Sequence, residues 1–251
     1  MLRIGLGAML GAASMQAAPA TVFTENFDAY TGAATALTDQ ADANPGGPQI
    51  VVTDDTPVGS SPAGTGVQLI NWLAASGAQS LLVRSGSEAI LQIQRPLSGS
   101  SYQLDFMLNT SKGAGDRNFY VIVRAMGNDT NGEDFLAYRS NRGAGNTTFY
   151  YDGIDTGGWT ATGIEHTDDA WEHHRFVFDM RTFTFDLFVN NMNTPVVDDG
   201  EISRSGAAVP TAIILRHEGN SEDDGYFAID DLSLTVEGSR PLASTFRDGF
   251  E

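Results

Sequence analysis

The sequence predicts an all-β fold, an antiparallel β-sandwich of jelly-roll type. Apolar and polar residues alternate with a period of two through Tyr102–Leu108 and Phe119–Arg124, whereas helical periodicity is hard to find. These segments are rich in aromatic and β-branched residues, and turn-forming residues separate them. Their number and spacing are typical of a sandwich or jelly roll. Further strands are predicted at Val22–Phe27, Gln49–Thr53, Val67–Trp72, Ser80–Arg84, Ala89–Gln94, Phe135–Arg139, Thr147–Tyr151, Ala212–His217 and Tyr226–Val236.

The clearest pattern predicts a β-hairpin. His174–Asp179 alternates, Met180–Thr182 forms a short turn, and Phe183–Val189 alternates again. Neighbouring residues of a strand face opposite sides of the sheet. His173 and His174 are therefore not expected to bind one metal ion together. Trp171, just before the hairpin, is predicted to lie in the core.

The first twenty residues have the order of an export signal. Met1–Arg3 carries one positive charge, Ile4–Met15 is apolar or small, and Ala18–Ala20 supplies a small-x-small cleavage signal. The apolar run is shorter than the roughly 20 residues that a transmembrane helix needs. We therefore predict a signal peptide at residues 1–20, one β-sandwich domain at residues 21–237, and secretion to an extracellular or periplasmic location.

The chain is strongly acidic and contains no cysteine. It has 14 Lys and Arg against 32 Asp and Glu, which gives a formal net charge of −18. Such a surface repels nucleic acid and anionic lipid and attracts cations, so no nucleic-acid partner and no membrane span are expected. The lack of cysteine excludes disulfides and thiolate metal sites. We expect a monomer in which residues 238–251 form a linker and short tail, either a frayed terminus or a recognition tag.

Three segments carry a resemblance to known families. The segment WEHHRFVFDMRTFTFDLFVNN, from Trp171 to Asn191, resembles a recurring hairpin of concanavalin A-like lectin/glucanase domains, including the laminin-G-like group. Those domains carry Asp/Asn-Gly in the turn after the second strand, whereas Asn190–Asn191 here lacks the glycine. FTENFDAY and GYFAIDDLSLTV resemble the first and last strands of secreted carbohydrate-binding jelly rolls. The resemblance implies the fold, which hosts lectins, glycosidases, lyases and adhesion modules and so does not name a function.

Acidic and amide side chains at the two ends of the sandwich predict a calcium site. A jelly roll commonly pairs its first and last strands, which would bring Glu25, Asn26 and Asp28 near Asp230. Calcium takes six to eight oxygen ligands, and in the resembling carbohydrate-binding jelly rolls this pairing holds a structural calcium ion. Asp231 is expected to face the opposite side of the strand. The alternative is that these carboxylates are ordinary solvated surface groups.

Two kinds of site remain open in the sequence. A polysaccharide lyase would need a base beside groups that neutralise a uronate, and these would have to converge on one concave face. The alternative is that the arginines form cross-strand salt bridges. The candidate catalytic set is Arg124, Tyr138, Arg216 and His217. A binding module needs only exposed aromatic residues with polar neighbours, and the candidates for that role are Trp72, Tyr150, Tyr151, Asp152, Asp155 and Trp159.

These observations support three functional hypotheses. The first is a secreted, non-catalytic module that binds a polysaccharide, a glycan or a cell-surface partner, with calcium in a structural role. The second is a polysaccharide-degrading enzyme, a lyase before a glycoside hydrolase, because no carboxylate pair with glycosidase spacing is found. The third is a passive surface or matrix protein. Whether the chain is an enzyme is left open by the sequence, with binding favoured.

Overall fold

The chain folds as two antiparallel sheets packed face to face, as the computed structural model shows. The residues that the structure describes are 18–30, 44, 47–54, 66–84, 86–110, 118–125, 133–141, 148–152, 158–202, 209–218 and 225–238. Most of the predicted signal peptide, the predicted tail after Gly238 and the predicted ligand residue Asp155 lie outside them. Within the described residues, no helix is long and apolar enough to cross a membrane.

All regular elements of the described residues are strands, which confirms the predicted fold class. The fifteen strands are β1 (Ala20–Glu25), β2 (Gln49–Asp54), β3 (Val67–Ile70), β4 (Ser80–Arg84), β5 (Ser87–Gln92), β6 (Ser101–Thr110), β7 (Asn118–Ala125), β8 (Glu133–Asn141), β9 (Thr148–Asp152), β10 (Thr160–Glu165), β11 (Trp171–Asp179), β12 (Thr184–Val189), β13 (Val197–Glu201), β14 (Pro210–His217) and β15 (Tyr226–Glu237). The sequence did not predict β10 or β13. β10 is polar and largely exposed and, like β13, lies at a sheet edge, where one-sided burial is weak and leaves little periodic signal.

The two sheets differ in strand order. The eight-stranded sheet has the order β13-β12-β11-β6-β15-β4-β3, and β1 also pairs with β15. The seven-stranded sheet has the order β10-β9-β8-β7-β14-β5-β2. Between them lies a core rich in aromatic rings, among which Phe106, Phe149 and Phe176 are fully buried. Each sheet therefore has one inner face on this core and one outer face.

The predicted hairpin is present as β11 and β12. His174 pairs with Val189 at one end of the ladder, and Asp179 pairs with Thr184 at the other. Asn190, after β12, has φ +58°, a left-handed conformation that Asn adopts more readily than most residues. This explains how the turn forms without the glycine that the resembling domains carry.

Strand β15 changes partner at a bulge, and this feature positions the acidic residues of both chain ends. On one edge, Tyr226–Ile229 pairs with β4 and Leu232–Val236 pairs with β1. On the other edge, the register with β6 shifts between Asp230 and Ser233. Asp231 has φ +48°, which is the local backbone change that lets one strand serve two neighbours.

Trp171 lies on an outer face, which corrects the prediction that it is a core residue. It packs half-buried on the outer face of the eight-stranded sheet, against a small cluster that includes Leu82 and Ala228. The alternation of β11 explains this placement, since Glu172, His174, Phe176 and Phe178 take the inner positions. An odd-numbered residue of this strand therefore faces outward.

Candidate functional site

Three side chains form a row across the outer face of the seven-stranded sheet. Tyr120 of β7 pairs with Arg139 of β8, and Arg139 pairs in turn with Tyr150 of β9. Paired residues of antiparallel strands place their side chains next to each other on the same face. The guanidinium carbon of Arg139 lies 5.7 Å from the centre of the Tyr150 ring.

Trp159, the residue just before β10, is the fourth member of this group. The centre of its ring lies 3.9 Å from the guanidinium carbon of Arg139, which is a close cation–π contact. Its ring also lies 5.9 Å from that of Tyr120 at an angle of 60°. We call Tyr120, Arg139, Tyr150 and Trp159 the arginine–aromatic cluster.

Polar groups border the cluster on the side of β14. The hydroxyl of Tyr120 donates a hydrogen bond to Oε2 of Glu218 at 2.7 Å, and Nδ2 of Asn118 donates to the same oxygen at 3.0 Å. Burial is the main cause that raises the pKa of Tyr120, followed by its hydrogen bond to Glu218. The hydroxyl therefore stays protonated over the physiological range and remains a donor.

Two further arginines of this face, Arg124 and Arg216, are held in ion pairs in the described part of the chain. Nε of Arg124 lies 2.7 Å from Oδ1 of Asp134, and Nη2 of Arg216 lies 2.5 Å from Oε2 of Glu88. Both pairs join neighbouring strands, as the salt-bridge interpretation of the sequence predicts. Arg139 differs from them, since no carboxylate of a described residue forms an ion pair with it.

The candidate catalytic set does not line one face. Arg124 and Arg216 lie on the outer face of the seven-stranded sheet, whereas Tyr138 and His217 face the core and are each 1% exposed. The reason is the position of each residue in its strand: Tyr138 lies one residue before outward-facing Arg139, and His217 one residue after Arg216. The convergence that a lyase site on these residues requires is therefore not present.

Polar groups do meet inside the sandwich, but away from solvent. Nδ1 of His174 lies 3.1 Å from the hydroxyl of Tyr138, and both side chains are buried. Glu172 is 4% exposed, and burial raises its pKa to about 7. Burial is also the main cause that lowers the pKa of His174 to about 3. Since these side chains are enclosed between the sheets, they affect the stability of the fold and not ligand binding.

The described residues of the predicted ligand-binding set lie in three places: the outer face of the seven-stranded sheet, the core, and, for Trp72, the outer side of the eight-stranded sheet. Trp159, Tyr150 and Asp152 share the outer face of the seven-stranded sheet, where Asp152 pairs with Ala137. Tyr151 turns toward the core and packs edge-on against Phe185, with ring centres 5.0 Å apart. Neither the catalytic set nor the binding set predicted from the sequence contains Arg139 or Tyr120, because only the cross-strand register brings them beside Trp159.

Trp72 lies on the opposite side of the molecule from the cluster. It is 59% exposed and contacts Tyr226 edge-on, with ring centres 5.7 Å apart. Tyr226 and Trp171 both pack against the small apolar cluster on the outer face of the eight-stranded sheet. Trp72 is the one large hydrophobic side chain of the described residues that is classed as exposed, so this surface is a second candidate for contact with a partner.

The predicted calcium ligands are engaged by hydrogen-bond donors. Glu25 accepts hydrogen bonds from the backbone N–H of Phe27, the hydroxyl of Tyr30 and Nδ2 of Asn44. Oδ2 of Asp230 accepts from two backbone N–H groups at 2.8 and 3.2 Å, and its Oδ1 accepts from a third at 2.8 Å. N–H and O–H groups present positive hydrogens, whereas calcium requires a shell of oxygens. In this structure the oxygens of Glu25 and Asp230 therefore act as hydrogen-bond acceptors.

The carboxylate of Asp28 also accepts hydrogen bonds from backbone N–H groups. The carboxylates of Glu25, Asp28 and Asp230 do not meet at one point. Oδ1 of Asp28 accepts from the backbone N–H groups of Ala78 and Gln79. In the described part of the chain, the one group of three acidic residues whose ligand atoms lie within 4.8 Å of one another is Asp186, Asp198 and Asp199. Calcium binding by Glu25, Asn26, Asp28 and Asp230 stays a prediction from the sequence.

Comparisons with known proteins show the fold and no family. No protein-family model matches the chain, and no curated protein sequence matches it. A sialidase structure is similar over 86% of this chain at 10% identity, with a TM-score of 0.53, and 19% of the sialidase is covered. The binding domain of Paraclostridial Mosquitocidal Protein 1 is similar over 88% of this chain at 14% identity, with a TM-score of 0.51, and 49% of it is covered. At these identities the likeness establishes a shared β-sandwich fold.

A third structure is similar at a lower score. Domain 4 of an extracellular arabinanase from Geobacillus stearothermophilus, in complex with arabinotriose, matches 89% of this chain and 95% of its own length. The identity is 14% and the TM-score is 0.48.

Proposed function

We propose that this chain is a secreted, non-catalytic module that binds carbohydrate through the arginine–aromatic cluster. The observation that carries the proposal is the packing of Trp159 over Arg139 and beside Tyr120, on an outer face with polar neighbours. Secretion follows from the export signature of residues 1–20. The fold shared with a sialidase and with a toxin binding domain accommodates such a role without specifying it.

The chemistry of the cluster suits a sugar. Sugar rings present apolar C–H faces edged by hydroxyls, so a binding surface needs flat aromatic rings beside fixed donors and acceptors. Trp159 and Tyr150 supply the rings, and Arg139, Asn118 and Glu218 supply polar groups held in place by their contacts. Because these side chains lie on paired strands or on the residue next to a strand, and contact one another, little conformational entropy has to be lost when a ligand binds.

The hypothesis of a polysaccharide-degrading enzyme has less support. Its candidate residues are divided between an outer face and the core, and Tyr138 and His217 are buried. A passive matrix protein requires no cluster of stacked aromatic and charged groups. Binding is therefore the function that the geometry supports best.

Trp159→Ala is expected to weaken polysaccharide binding at least tenfold, which corresponds to ~1.4 kcal/mol. The reason is that the substitution removes the largest ring of the cluster and the stacking partner of Arg139. A glycan array and a polysaccharide panel would first identify a ligand for residues 21–251. Isothermal titration would then compare the variants, while ultraviolet absorbance reports any unsaturated product of a lyase.

Trp72→Ala is the matched control, because it also replaces a tryptophan by alanine but does so on the outer side of the eight-stranded sheet, away from the cluster. We expect it to leave the affinity within twofold, and Tyr150→Ala to weaken binding as Trp159→Ala does. Loss of binding in Trp72→Ala with full binding in Trp159→Ala would overturn the proposed site. Release of unsaturated products would overturn the non-catalytic assignment.

A further inference from the structure

Arg139 differs electrostatically from the other arginines of its face. Arg124 and Arg216 each have a carboxylate partner on a neighbouring strand. Arg139 has tyrosines at both of its paired positions instead, Tyr120 on one side and Tyr150 on the other. Among the described residues no carboxylate lies within ion-pair distance of it, although the chain has 32 acidic residues.

The contacts of Arg139 do not engage every donor of its guanidinium. Trp159 lies over the guanidinium face at 3.9 Å, and such stacking does not use the N–H groups, which point outward in the plane. The guanidinium of Arg139 forms a hydrogen bond with the hydroxyl of Tyr120. The buried Nε of Arg139 has no hydrogen-bond partner among the described residues, and a buried donor without a partner lowers stability.

The carboxylate of Glu218, which borders the cluster, does not form an ion pair with this charge. Glu218 is held by Tyr120 and Asn118, so that the tyrosine hydroxyl stands between the carboxylate and Arg139. Arg139 is thus a positive charge with a planar set of donors on the face of a chain of net charge −18. A planar carboxylate is the group that pairs best with such a set, through two parallel N–H···O bonds.

We propose that Arg139 recognises the carboxylate of an acidic sugar residue, so that the ligand is a glycan containing such residues. This inference rests on the proposed function, because it names the ligand class of the same site. The sugar ring stacks beside Trp159 and Tyr150 while its carboxylate meets the edge of the guanidinium. Since the rest of the chain is acidic, an isolated carboxylated residue is preferred over a densely charged polymer.

The test compares ligands that differ only in the carboxylate. The probes are 3′-sialyllactose, polygalacturonate oligosaccharides and alginate oligosaccharides, each compared with its own methyl ester by titration into the wild-type chain of residues 21–251. We expect at least one carboxylated probe to bind at least tenfold more tightly than its neutral counterpart, and this preference to weaken as salt is raised. This comparison requires no variant, so it does not depend on how a substitution affects folding.

Variants then assign the preference to one side chain. Arg139→Gln is expected to bring the carboxylated probe to within twofold of its neutral counterpart, and Arg139→Lys to retain part of the preference because it keeps charge without the planar donors. Arg124→Gln is the control from the same face, already paired with Asp134, and is expected to keep the preference. Equal binding of both members of every pair, or an unchanged preference in Arg139→Gln, would overturn the inference.

The outcomes separate this inference from the proposed function. Neutral glycans that bind the wild type as tightly as acidic ones, and that Trp159→Ala no longer binds, would leave the proposed function standing and remove the role of Arg139. Failure of every glycan of the array and panel to bind would overturn both.

Discussion

Asp230→Ala is expected to lower the free energy of unfolding by about 3 kcal/mol. The side chain is fully buried and accepts hydrogen bonds from the backbone N–H groups of Ala75, Ser76 and Asp231. Alanine would leave three donors without this acceptor, and because these hydrogen bonds are only partly buried, each loss costs roughly 1 kcal/mol, the lower end of the range for an unpaired donor. Burial raises the pKa of Asp230, because desolvation of the carboxylate offsets part of the energy of its hydrogen bonds. The expected loss of unfolding free energy is therefore no larger than about 1 kcal/mol for each of the three hydrogen bonds.

The measurement is urea unfolding at neutral pH, with Asp231→Asn as the control. Asp231 is the adjacent carboxylate but lies on the outer side, and Asn tolerates its φ of +48°. We expect the control to change stability by less than about 1 kcal/mol, as surface substitutions usually do. A loss below 1 kcal/mol in Asp230→Ala would show that Asp230 does not hold the segment between β3 and β4.

The same samples test the calcium prediction. If the carboxylates at the chain ends serve as acceptors for N–H and O–H groups, removing calcium with a chelator leaves the melting temperature of the wild type unchanged. A melting temperature that rises with added calcium in the wild type but not in Asp230→Ala would restore Glu25, Asn26, Asp28 and Asp230 as calcium ligands. Stabilisation by calcium follows from binding to the folded state alone.

His174→Gln is expected to make the protein much less sensitive to acid. Burial lowers the pKa of His174 to about 3, against 6.5 for an exposed histidine. Between these values the unfolded chain binds a proton that the folded chain does not, so stability falls as pH decreases from 6.5 toward 3. The full shift of about 3.5 pKa units corresponds to about 5 kcal/mol at ~1.4 kcal/mol per pKa unit. Gln has no such titration and still offers an oxygen to the Tyr138 hydroxyl.

Glu172 acts in the opposite sense, so the comparison is made between variants. Burial raises its pKa to about 7 from 4.5. The folded chain therefore binds a proton that the unfolded chain does not, and stability is lost as pH rises from 4.5 to 7. Both wild type and His174→Gln keep Glu172, so the difference between their stability curves isolates the histidine.

Urea unfolding at a series of pH values from 3 to 8 measures this difference. His173→Gln makes the same change one residue earlier, on the outer face beside Asp105, and reports the effect of removing a partly exposed imidazole. The expected result is that the stability curves of wild type and His174→Gln differ most in slope between pH 6.5 and 3. Parallel curves would mean that His174 takes up its proton in the folded state as readily as in the unfolded chain.

Local patterns predicted much of the fold. The alternation in Tyr102–Leu108 and His174–Asp179 reflects one buried and one open face, and this signal depends only on neighbours in the chain. For the same reason the β11–β12 hairpin was predicted with nearly its observed bounds. The expected pairing of the first and last strands is also present, between β1 and β15.

The alternation of apolar and polar residues did not predict which side chains face the core in strands whose two faces are both covered. Phe119, Tyr120, Val121, Ile122 and Val123 are all buried, since β7 is central in its sheet and packs on both sides. Such a run does not reveal which residues face the other sheet. The sequence could therefore not separate outward-facing Arg124 and Arg216 from inward-facing Tyr138 and His217.

The sequence by itself determined that this chain is a β-sandwich with aromatic and charged side chains on its strands and loops. Only the tertiary structure decided that Tyr120, Arg139 and Tyr150 stand side by side and that Trp159 covers them. It also decided that Glu25 and Asp230 accept hydrogen bonds from segments distant in sequence, Asn44 and Ala75–Ser76. The physical reason is that strand register and loop placement depend on contacts between remote parts of the chain, which no local pattern encodes.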